Sequence, residues 1–433
     1  MELFTCTKTI GSREPVTGGD APAPRRAEVP PAPPRPGPAG ETDTVLFLCP
    51  VYDAQFPSGT LWQRLAALTQ VAKVAVLPLL PPPDGVIPPP AGAFLVPPPA
   101  GPRLGAPRAY NRRVRHFLRG LLAQGKRGLV WTHPNFFTRA PAGAAARAAN
   151  WPLVTDVWDV PDLAMWTQFR ERRYLKAFVH RCMLAGLRRH LERSDLVVWT
   201  LHPASMPRYF EAGEGRVLWL PNGLRWSALE PFRQPAAGPP VPDRPRRLLY
   251  MGHFRASRGS GLMVQALELA ARSRPFVLDI VGDTATGVAR AAVRSLSPEL
   301  RARTRLHGRL AWESAMRVVR QADIGLYPFP STPELEYIYP LKLLEYAGLG
   351  KWIVSSDLAG ARHQLRDYNK ARFCDPTSPV AWARVIEDLL DMPPAQFGAP
   401  ANSAAIAAYD WERVNAALLD RVAELVRQPA RSR

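Results

Sequence analysis

One short stretch places two charged side chains in an apolar helical pattern: EYIYPLKLLEYAGLGKWIVSS, residues 336–356. Lys342 and Glu345 are three residues apart, so they share one face of a helix beginning near Pro340. Free N–H groups at a helix N-terminus attract a diphosphate, and Lys342 adds a full positive charge. A carboxylate one turn further can accept both hydroxyls of a ribose. The pattern therefore predicts a nucleotide site, with a solvated ion pair as the alternative.

A second candidate is the loop in YMGHFRASRGSGL, residues 250–262. Gly252 ends an apolar strand, Arg255 and Arg258 follow, and two further glycines lead into a helix. Glycine lets the backbone approach a ligand closely, and a guanidinium group binds phosphate bidentately. The loop therefore predicts a second set of phosphate contacts, with two solvated loop arginines as the alternative.

The composition narrows the class of protein. With 433 residues, the chain is long enough for two domains. Its net charge is +19 and its pI is about 10.4, which favours an anionic partner, although an arginine-rich composition alone is the alternative. The four cysteines form no CxxC pair, which argues for a reducing compartment and against a disulfide framework or zinc site. No apolar run is long enough to span a membrane, and the N-terminus lacks a signal-peptide core, so we predict a cytoplasmic protein.

Apolar runs alternate with helical patterns along most of the chain. Buried parallel strands are predicted in the first half at TVLFLCPVY, KVAVLPLL, GLVWTHP and PLVTDVWD, and in the second at RLLYMGHF, FVLDIVGD, IGLYPF and WIVSS. The proline-rich residues 80–102 are predicted to be an extended surface loop, and residues 166–192 one long basic helix. The alternation predicts two doubly wound α/β domains with a ligand cleft at the carboxyl ends of their strands.

The predicted boundaries follow from changes in composition. We predict a disordered proline-rich tail at 1–42, a first Rossmann-like domain at 43–232, a linker at 233–245, a second domain at 246–408, and a C-terminal helix with a tail at 409–433.

Basic helices mark the first domain. Both the 109–124 helix and the 166–192 helix have apolar residues between their arginines, as helices that lie on anionic membranes do. An ordinary helix with a solvated arginine face is the alternative. No helix-turn-helix, RRM, OB or zinc pattern occurs, so nucleic acid is not a predicted partner.

Several motifs together resemble those of the GT-B-fold retaining glycosyltransferases of the group 1, or family 4, type, in its polysaccharide-biosynthesis branch. They are FLCPVYDAQFPSGTLWQRL, LPNGL, RGSGLMVQAL, VLDIVGD, HGRL…ADIGLYPF, YPLKLLEYAGLGKWIVSS and YDWERV. In order and spacing they run from about residue 44 to residue 425. The resemblance implies a GT-B fold, with the C-terminal helix crossing back to the first domain.

The resemblance also implies roles for particular residues. Glu345 would bind the ribose of a nucleotide sugar, and Arg255 with Arg258 or Lys342 would bind its diphosphate. The donor site would further include Gly252 and Leu341, with Gly59 letting the backbone approach the donor or acceptor. The family needs no metal ion, and no D-x-D pair or separate cofactor is predicted, since cations and helix N-termini stabilise the leaving diphosphate.

The chain departs from the family pattern at two places. Tyr337 stands where the fuller motif has a glutamate, eight residues before Glu345, with Glu334 and Glu336 out of register. The family's usual histidine after a first-domain strand is replaced by TDVWDVPD, residues 155–162, whose Asp159 could orient the acceptor hydroxyl or cap a helix. The other carboxylates there and the alternative cleft histidines are Asp156, Asp162, His133, His202 and His253.

These observations predict a hexosyltransferase that moves a sugar from a nucleotide sugar to a glycan or lipid-linked glycan. It would be peripheral to the cytoplasmic membrane face, with an anionic membrane surface as a further partner. A nucleotide-sugar epimerase of similar architecture and a non-catalytic GT-B-like partner subunit are the alternatives.

Overall fold

The computed structural model describes residues 43–54, 59–96, 98, 106–170, 172–211, 213, 215–233, 244–282 and 287–427. The predicted tail at 1–42, most of the predicted linker and residues 428–433 lie outside this part of the chain, as does Asp283 of the VLDIVGD motif. All of the described residues fall in one compact unit, residues 36–433.

The first sheet is built from parallel strands whose two faces are both buried. Its strands are β1 (Asp43–Cys49), β2 (Lys73–Pro78), β3 (Ala93–Leu95), β4 (Arg127–Thr132), β5 (Leu153–Val157), β6 (Leu196–Trp199) and β7 (Val217–Trp219). They lie in the order β3-β2-β1-β4-β5-β6-β7. Val45 and Phe47 of β1 pack in one apolar cluster, and Leu46 and Leu48 pack in another. This two-sided burial explains the continuous apolar runs of the sequence.

Helices cover both faces of this sheet. They are α1 (Thr60–Leu68), α2 (Ala106–Ala123), α3 (Phe136–Ala149), α4 (Leu163–Arg170), α5 (Tyr174–Leu184), α6 (Leu187–Arg193) and α7 (Trp226–Arg233). Two expectations need correction. The proline-rich stretch contains β3, which pairs with β2 at the sheet edge. The predicted long helix at 166–192 is divided into α4, α5 and α6, because Arg172 and Gly186 adopt positive φ angles of 57° and 78°.

The second sheet repeats the doubly wound arrangement. Its strands are β8 (Arg246–Met251), β9 (Phe276–Val281), β10 (Thr304–Gly308), β11 (Ile324–Tyr327), β12 (Trp352–Ser356) and β13 (Ala371–Cys374). They are parallel and lie in the order β10-β9-β8-β11-β12-β13. The direction of winding reverses between β8 and β11 here and between β1 and β4 in the first sheet. Ligands of such sheets bind at the carboxyl ends of strands beside this reversal.

The helices of the second half include the one that carries Lys342 and Glu345. They are α8 (Ser260–Ser273), α9 (Gly287–Arg294), α10 (Pro298–Ala302), α11 (Trp312–Gln321), α12 (Leu341–Gly348), α13 (Ala359–Gln364), α14 (Pro379–Asp391) and α15 (Pro394–Phe397). Pro340 caps α12 from an extended conformation (φ −77°, ψ 129°), so the helix itself begins at Leu341. Among the described residues, no helix combines the length and apolar character that crossing a bilayer requires.

The last helix, α16 (Trp411–Arg427), packs on the first half of the chain. Trp411, Leu418 and Val422 lie in the same apolar cluster as Val45 and Phe47 of β1. This is the crossing C-terminal helix that the sequence predicts.

A buried polar network joins α16 to the first sheet. Arg64 of α1 is fully buried and its Nε donates to Asp156 Oδ2 of β5 at 3.1 Å. Its Nη1 donates to Asn415 Oδ1 of α16 at 2.8 Å, and its Nη2 donates to Thr200 Oγ1 at 3.3 Å. One guanidinium group therefore fixes helices at both ends of the chain against the strand that precedes Asp159.

Candidate functional site

A cavity of about 1190 Å³ lies at the carboxyl ends of the strands and is lined from both halves of the chain. The first half contributes the Trp158–Val160 turn after β5, together with Thr60 and Asn222. The second half contributes the β8–α8 loop, the start of α11 and the start of α12. The cavity therefore occupies the place that the doubly wound topology favours for a ligand.

Lys342 lies at the floor of this cavity, in the first turn of α12. Its Nζ donates a hydrogen bond of 2.7 Å to the carbonyl oxygen of Met251, at the end of β8. The Nζ is 5.2 Å from the centre of the Phe329 ring and 5.9 Å from those of Tyr250 and Tyr327. Burial lowers the pKa of Lys342 to about 8, with the charge of Arg258 adding to the shift and Glu345 opposing it. The site thus holds a cation that is poorly solvated until an anion binds.

The backbone beside Lys342 excludes side chains. Gly252 has a φ of 137°, and a Cβ built on it would lie 2.5 Å from Lys342 Nζ. Gly282, also at 137°, would place a Cβ 2.0 Å from the carbonyl oxygen of Gly252. Only glycine fits these positions, so the cavity floor is formed by bare backbone that a ligand can approach closely.

Glu345 follows one turn after Lys342 and is only 8% exposed. Its Oε1 accepts a hydrogen bond of 2.8 Å from Trp312 Nε1, at the start of α11. Burial raises the pKa of Glu345, whereas the Trp312 hydrogen bond and the Lys342 charge oppose that rise. A carboxylate has room for several hydrogen bonds, so Glu345 can accept further donors while Trp312 fixes its orientation. Glu345 is buried and Lys342 half-buried, so a solvated surface ion pair does not describe them.

The predicted arginines differ in position. Arg258 lines the cavity, and its guanidinium carbon lies 4.9 Å from the centre of the Phe329 ring. Arg255 is exposed, before the short 3-10 turn Ala256–Arg258, and is not among the lining residues. Arg309, which the sequence did not indicate, lines the cavity after β10. Arg258, Arg309 and Lys342 give the second-half side of the cavity a positive character.

Of the three carboxylates in residues 155–162, the structure brings Asp159 to the cavity. Asp156 is paired with Arg64, and burial raises its pKa to about 6 against the opposing charge of Arg64. Asp162 accepts hydrogen bonds from Arg208 Nη2 and the Tyr209 hydroxyl, at 2.6 and 2.7 Å. Asp159 itself is exposed on the turn after β5, where its carboxylate can meet a second substrate.

The alternative histidines take different positions. His253 lines the cavity beside Gly252. His133 Nδ1 donates to the carbonyl oxygen of Asp156 at 3.1 Å, and its ring stacks on Trp158 with a centroid distance of 4.5 Å. Burial lowers the pKa of His133, and the Asp159 charge opposes the shift. His133 thereby supports the turn that carries Asp159.

A chain of hydrogen bonds crosses the cavity wall between the two halves. Gly59 caps α1 without lining the cavity, but the next residue, Thr60, lines it and donates to Asn222 Oδ1 at 2.8 Å. Asn222 Nδ2 in turn donates to the carbonyl oxygen of Tyr339 at 2.8 Å. Leu341 also lines the cavity and packs against the apolar cluster of the first half. Backbone and side chains from both halves therefore meet at the start of α12.

Tyr337 contacts the first half instead of lining the cavity. Its carbonyl oxygen accepts a hydrogen bond of 2.9 Å from the backbone N–H of His202, and the two rings lie 5.8 Å apart. The neighbouring Glu336 accepts hydrogen bonds from the Ala359 N–H at 2.8 Å and the Ser331 hydroxyl at 3.2 Å. The segment in which the fuller motif has its first glutamate is thus engaged in contacts within the protein.

Comparison with known proteins gives a family for the second half. Residues 245–392 match the profile of a family described as glycosyl transferases group 1. No curated protein sequence matches the chain.

Solved structures resemble the whole fold at low sequence identity. A glycosyltransferase from Rickettsia africae has a TM-score of 0.62 at 14% identity, covering 90% of this chain and all of its own. HepE of Anabaena, solved with UDP and glucose, has a TM-score of 0.60 at 15% identity, covering 87% of this chain and 98% of its own. WaaG, a glycosyltransferase involved in lipopolysaccharide biosynthesis, has a TM-score of 0.55 at 16% identity, covering 89% and 100%.

These likenesses confirm the predicted GT-B fold of two Rossmann-like domains, and the family match confirms the predicted class of enzyme. The chain therefore has the GT-B fold and carries a glycosyltransferase domain of the group 1 type at residues 245–392.

Proposed function

We propose that the enzyme transfers a hexosyl group from a nucleotide sugar to a hydroxyl of a glycan or lipid-linked glycan, with retention and without a metal ion. One observation carries the proposal: Lys342 and Glu345 enter one cavity from consecutive turns of α12, beside the bare backbone of Gly252. That spacing suits a diphosphate and the ribose attached to it. The solved structures of HepE with UDP and with UDP-glucose are consistent with such a donor.

On the donor side, Glu345 would accept hydrogen bonds from the ribose hydroxyls while Trp312 holds its carboxylate in place. Lys342 and Arg258 would bind the diphosphate, with Arg255 closing over it from the neighbouring turn. The N-terminus of α12, beginning at Leu341, adds N–H groups and partial positive charge.

In the chemical step, the bond between the anomeric carbon and the diphosphate oxygen breaks, and its electron pair remains on the diphosphate. The acceptor hydroxyl forms the new bond to the anomeric carbon, and its proton passes to an oxygen of the leaving diphosphate. Lys342 and Arg258 stabilise the charge that develops on the leaving diphosphate, which is the role that a metal ion has in other transferases. Among the described residues, no three His, Cys, Asp or Glu side chains are grouped as metal ligands.

Asp159 faces this reaction from the first half. Its exposed carboxylate on the β5–α4 turn would orient the acceptor hydroxyl. Retention follows the resemblance of the motifs to retaining enzymes, and the lipid-linked acceptor follows the basic first domain. WaaG, which shares the fold, acts in lipopolysaccharide biosynthesis.

The test is nucleotide release from a panel of nucleotide sugars, compared between the wild type, Glu345→Gln and the exposed-surface control Glu313→Gln. Loss of hydrogen bonds to a charged group, worth about 1.5–3 kcal/mol each, predicts a drop of about 10- to 100-fold or more in kcat/KM for Glu345→Gln. The control keeps wild-type activity. Equal turnover in all three proteins would remove Glu345 from the donor site.

The same assay separates the alternatives. An epimerase would convert the donor sugar without an acceptor and without releasing nucleotide. A non-catalytic partner would give no turnover, and calorimetric titration with nucleoside diphosphates would show weak binding or none.

A further inference from the structure

An unusual concentration of exposed apolar side chains lies on α5 and the end of α4. The exposed fractions are 51% for Phe169, 59% for Tyr174, 78% for Leu175, 63% for Phe178 and 49% for Val179. Within α5, by contrast, only Ala177 is buried. Large apolar side chains exposed together mark an interaction surface.

The spacing of these residues defines one outward face of the helix. With 3.6 residues per turn, Tyr174, Phe178 and Cys182 form one row along α5, and Leu175 and Val179 form the adjacent row. Ala177 lies on the other side of the helix, where it packs on the protein. We call the exposed side of α5, together with Phe169, the outer face of the α5 arm.

Basic side chains border this outer face. Lys176 and Arg181 lie at its two edges on the helix, and Arg172 and Arg173 precede it; all four are exposed. The α5 sequence YLKAFVHRCML contains no acidic residue. An apolar face edged by cations matches the interface of an anionic bilayer, where the apolar side chains enter the acyl boundary and the cations reach the headgroups.

The other predicted basic helix, α2, differs in this respect. Its apolar residues Tyr110, Val114 and Leu118 are buried in the core of the first domain. What α2 exposes is a row of arginines that includes Arg112 and Arg115. It can therefore attract an anionic surface but has little apolar area to insert.

The α5 arm is fixed to the protein and adjoins the cavity. Arg139 of α3 donates from Nη2 to the carbonyl oxygens of Met183 and Ala185, at 2.6 and 3.2 Å, which holds the C-terminal end of α5. At its other end, α4 follows directly after the Trp158–Val160 turn that lines the cavity. A surface bound to the arm therefore lies next to the side of the cavity where Asp159 is exposed.

We propose that the outer face of the α5 arm docks the enzyme on an anionic lipid bilayer and so presents a lipid-linked acceptor to the cavity. The second half of this statement rests on the proposed function, whereas the docking itself is measured without any catalytic step.

The first experiment is flotation of the full-length chain with vesicles of phosphatidylcholine, alone or mixed with phosphatidylglycerol. We expect binding to the mixed vesicles and a loss of at least tenfold in partitioning for Leu175→Ser/Phe178→Ser. A matched control, Leu306→Ser/Val380→Ser, removes two apolar side chains of 39% and 52% exposure from the second domain and should bind as the wild type does. Arg112→Ser/Arg115→Ser on α2 should weaken binding less and mainly at low salt.

A local probe tests the orientation. Cys182 is exposed on the outer face, whereas Cys49 and Cys374 are buried. In a Cys6→Ser background, a polarity-sensitive fluorophore on Cys182 should shift to the blue with mixed vesicles. Flotation without that shift, or equal flotation of wild type and Leu175→Ser/Phe178→Ser, would overturn the proposal. So would a dimer that this double variant dissociates, because the face would then bind a second copy.

Nucleoside diphosphate binding distinguishes this proposal from the proposed function. Leu175→Ser/Phe178→Ser should keep wild-type affinity for the nucleotide in solution, since neither side chain lines the cavity. Lost flotation with unchanged nucleotide affinity supports docking through the arm, and absent nucleotide affinity in the wild type contradicts the proposed function alone.

Discussion

Lys342 combines burial with a pKa near 8, and this makes donor binding dependent on pH. The charge that attracts a diphosphate is lost from the free enzyme as the pH rises through about 8. The phosphate groups, with a second pKa of about 6, do not change charge in this range.

We therefore expect the affinity for a nucleoside diphosphate to fall between pH 7.5 and pH 9.5, by up to about tenfold per pH unit above the pKa. Calorimetry near pH 8 should detect proton uptake on binding, and Lys342→Met should remove both the uptake and the pH dependence. The stability of the fold should change with pH in the opposite direction to the nucleotide affinity. Between about pH 8 and 10.5 the unfolded chain binds more protons at Lys342 than the folded chain does, so the contribution of this residue to the free energy of unfolding rises with pH.

Lys351 provides a matched control for this prediction. Burial also lowers its pKa to about 8, but its Nζ donates to the carbonyl oxygen of Arg320 and it does not line the cavity. Lys351→Arg should therefore leave the pH dependence of nucleotide affinity unchanged. A flat wild-type profile, or one that Lys351→Arg abolishes, would assign the titration to another group.

Among single residues, the sequence predicted some of those that line the cavity and missed others. Lys342 and Glu345 were predictable because the three-residue spacing is a property of one helix. Trp312 was not, because its hydrogen bond to Glu345 joins the starts of two helices and depends on how they pack. Arg309 was missed for a related reason, since the end of a strand faces the cavity only through the sheet order.

At the scale of helices and strands, the buried side chain of Arg64 joins α1 to β5 through its ion pair with Asp156, and to α16 through its hydrogen bond to Asn415. We expect Arg64→Met to lower the free energy of unfolding by about 3–5 kcal/mol, because it leaves the Asp156 carboxylate buried without its cation. Denaturant titration measures this loss. Arg64→Met/Asp156→Asn should recover a substantial part of it.

The pH dependence of stability gives an independent check that the unpaired Asp156 carboxylate causes this loss. The pKa of Asp156 is already raised to about 6 and would rise further without Arg64. A group whose pKa is raised in the folded state stabilises the fold at low pH, and this stabilisation is lost as the pH increases. The loss of stability caused by Arg64→Met should therefore be smaller at pH 5.5 than at pH 7. An equal defect at both pH values would attribute the loss to packing instead of charge.

Helices and strands were predicted best where burial leaves a clear apolar pattern in the sequence. The central strands have both faces covered, so their runs are continuous and easily recognised. The short edge strand β3 escaped prediction because prolines surround it and only three of its residues pair. The divided 166–192 helix escaped because positive φ at Arg172 is set by the packing of α4 on α5, which the helical periodicity does not reveal.

For the whole molecule, α16 makes the first domain depend on residues that follow the second. Leu418 is fully buried in the cluster around β1. We expect Leu418→Ala to destabilise by about 2–5 kcal/mol, the usual cost of such a cavity, and to raise amide exchange in β1. The exposed neighbour Arg413 provides the control, since Arg413→Ala should change stability by less than about 0.5 kcal/mol. Faster exchange confined to the second sheet would contradict the assignment of α16 to the first core.

The crossing of α16 also bears on how the chain is synthesised. The first sheet is complete at Trp219, yet the helix that closes its core begins at Trp411. At about 5–20 residues per second, a ribosome needs roughly 10–40 s to add the roughly 190 residues between them. During that interval the apolar side of β1 and α1 lacks its cover and is a natural target for chaperones. The second domain, whose strands and helices all precede Trp411, can therefore fold before the first is finished.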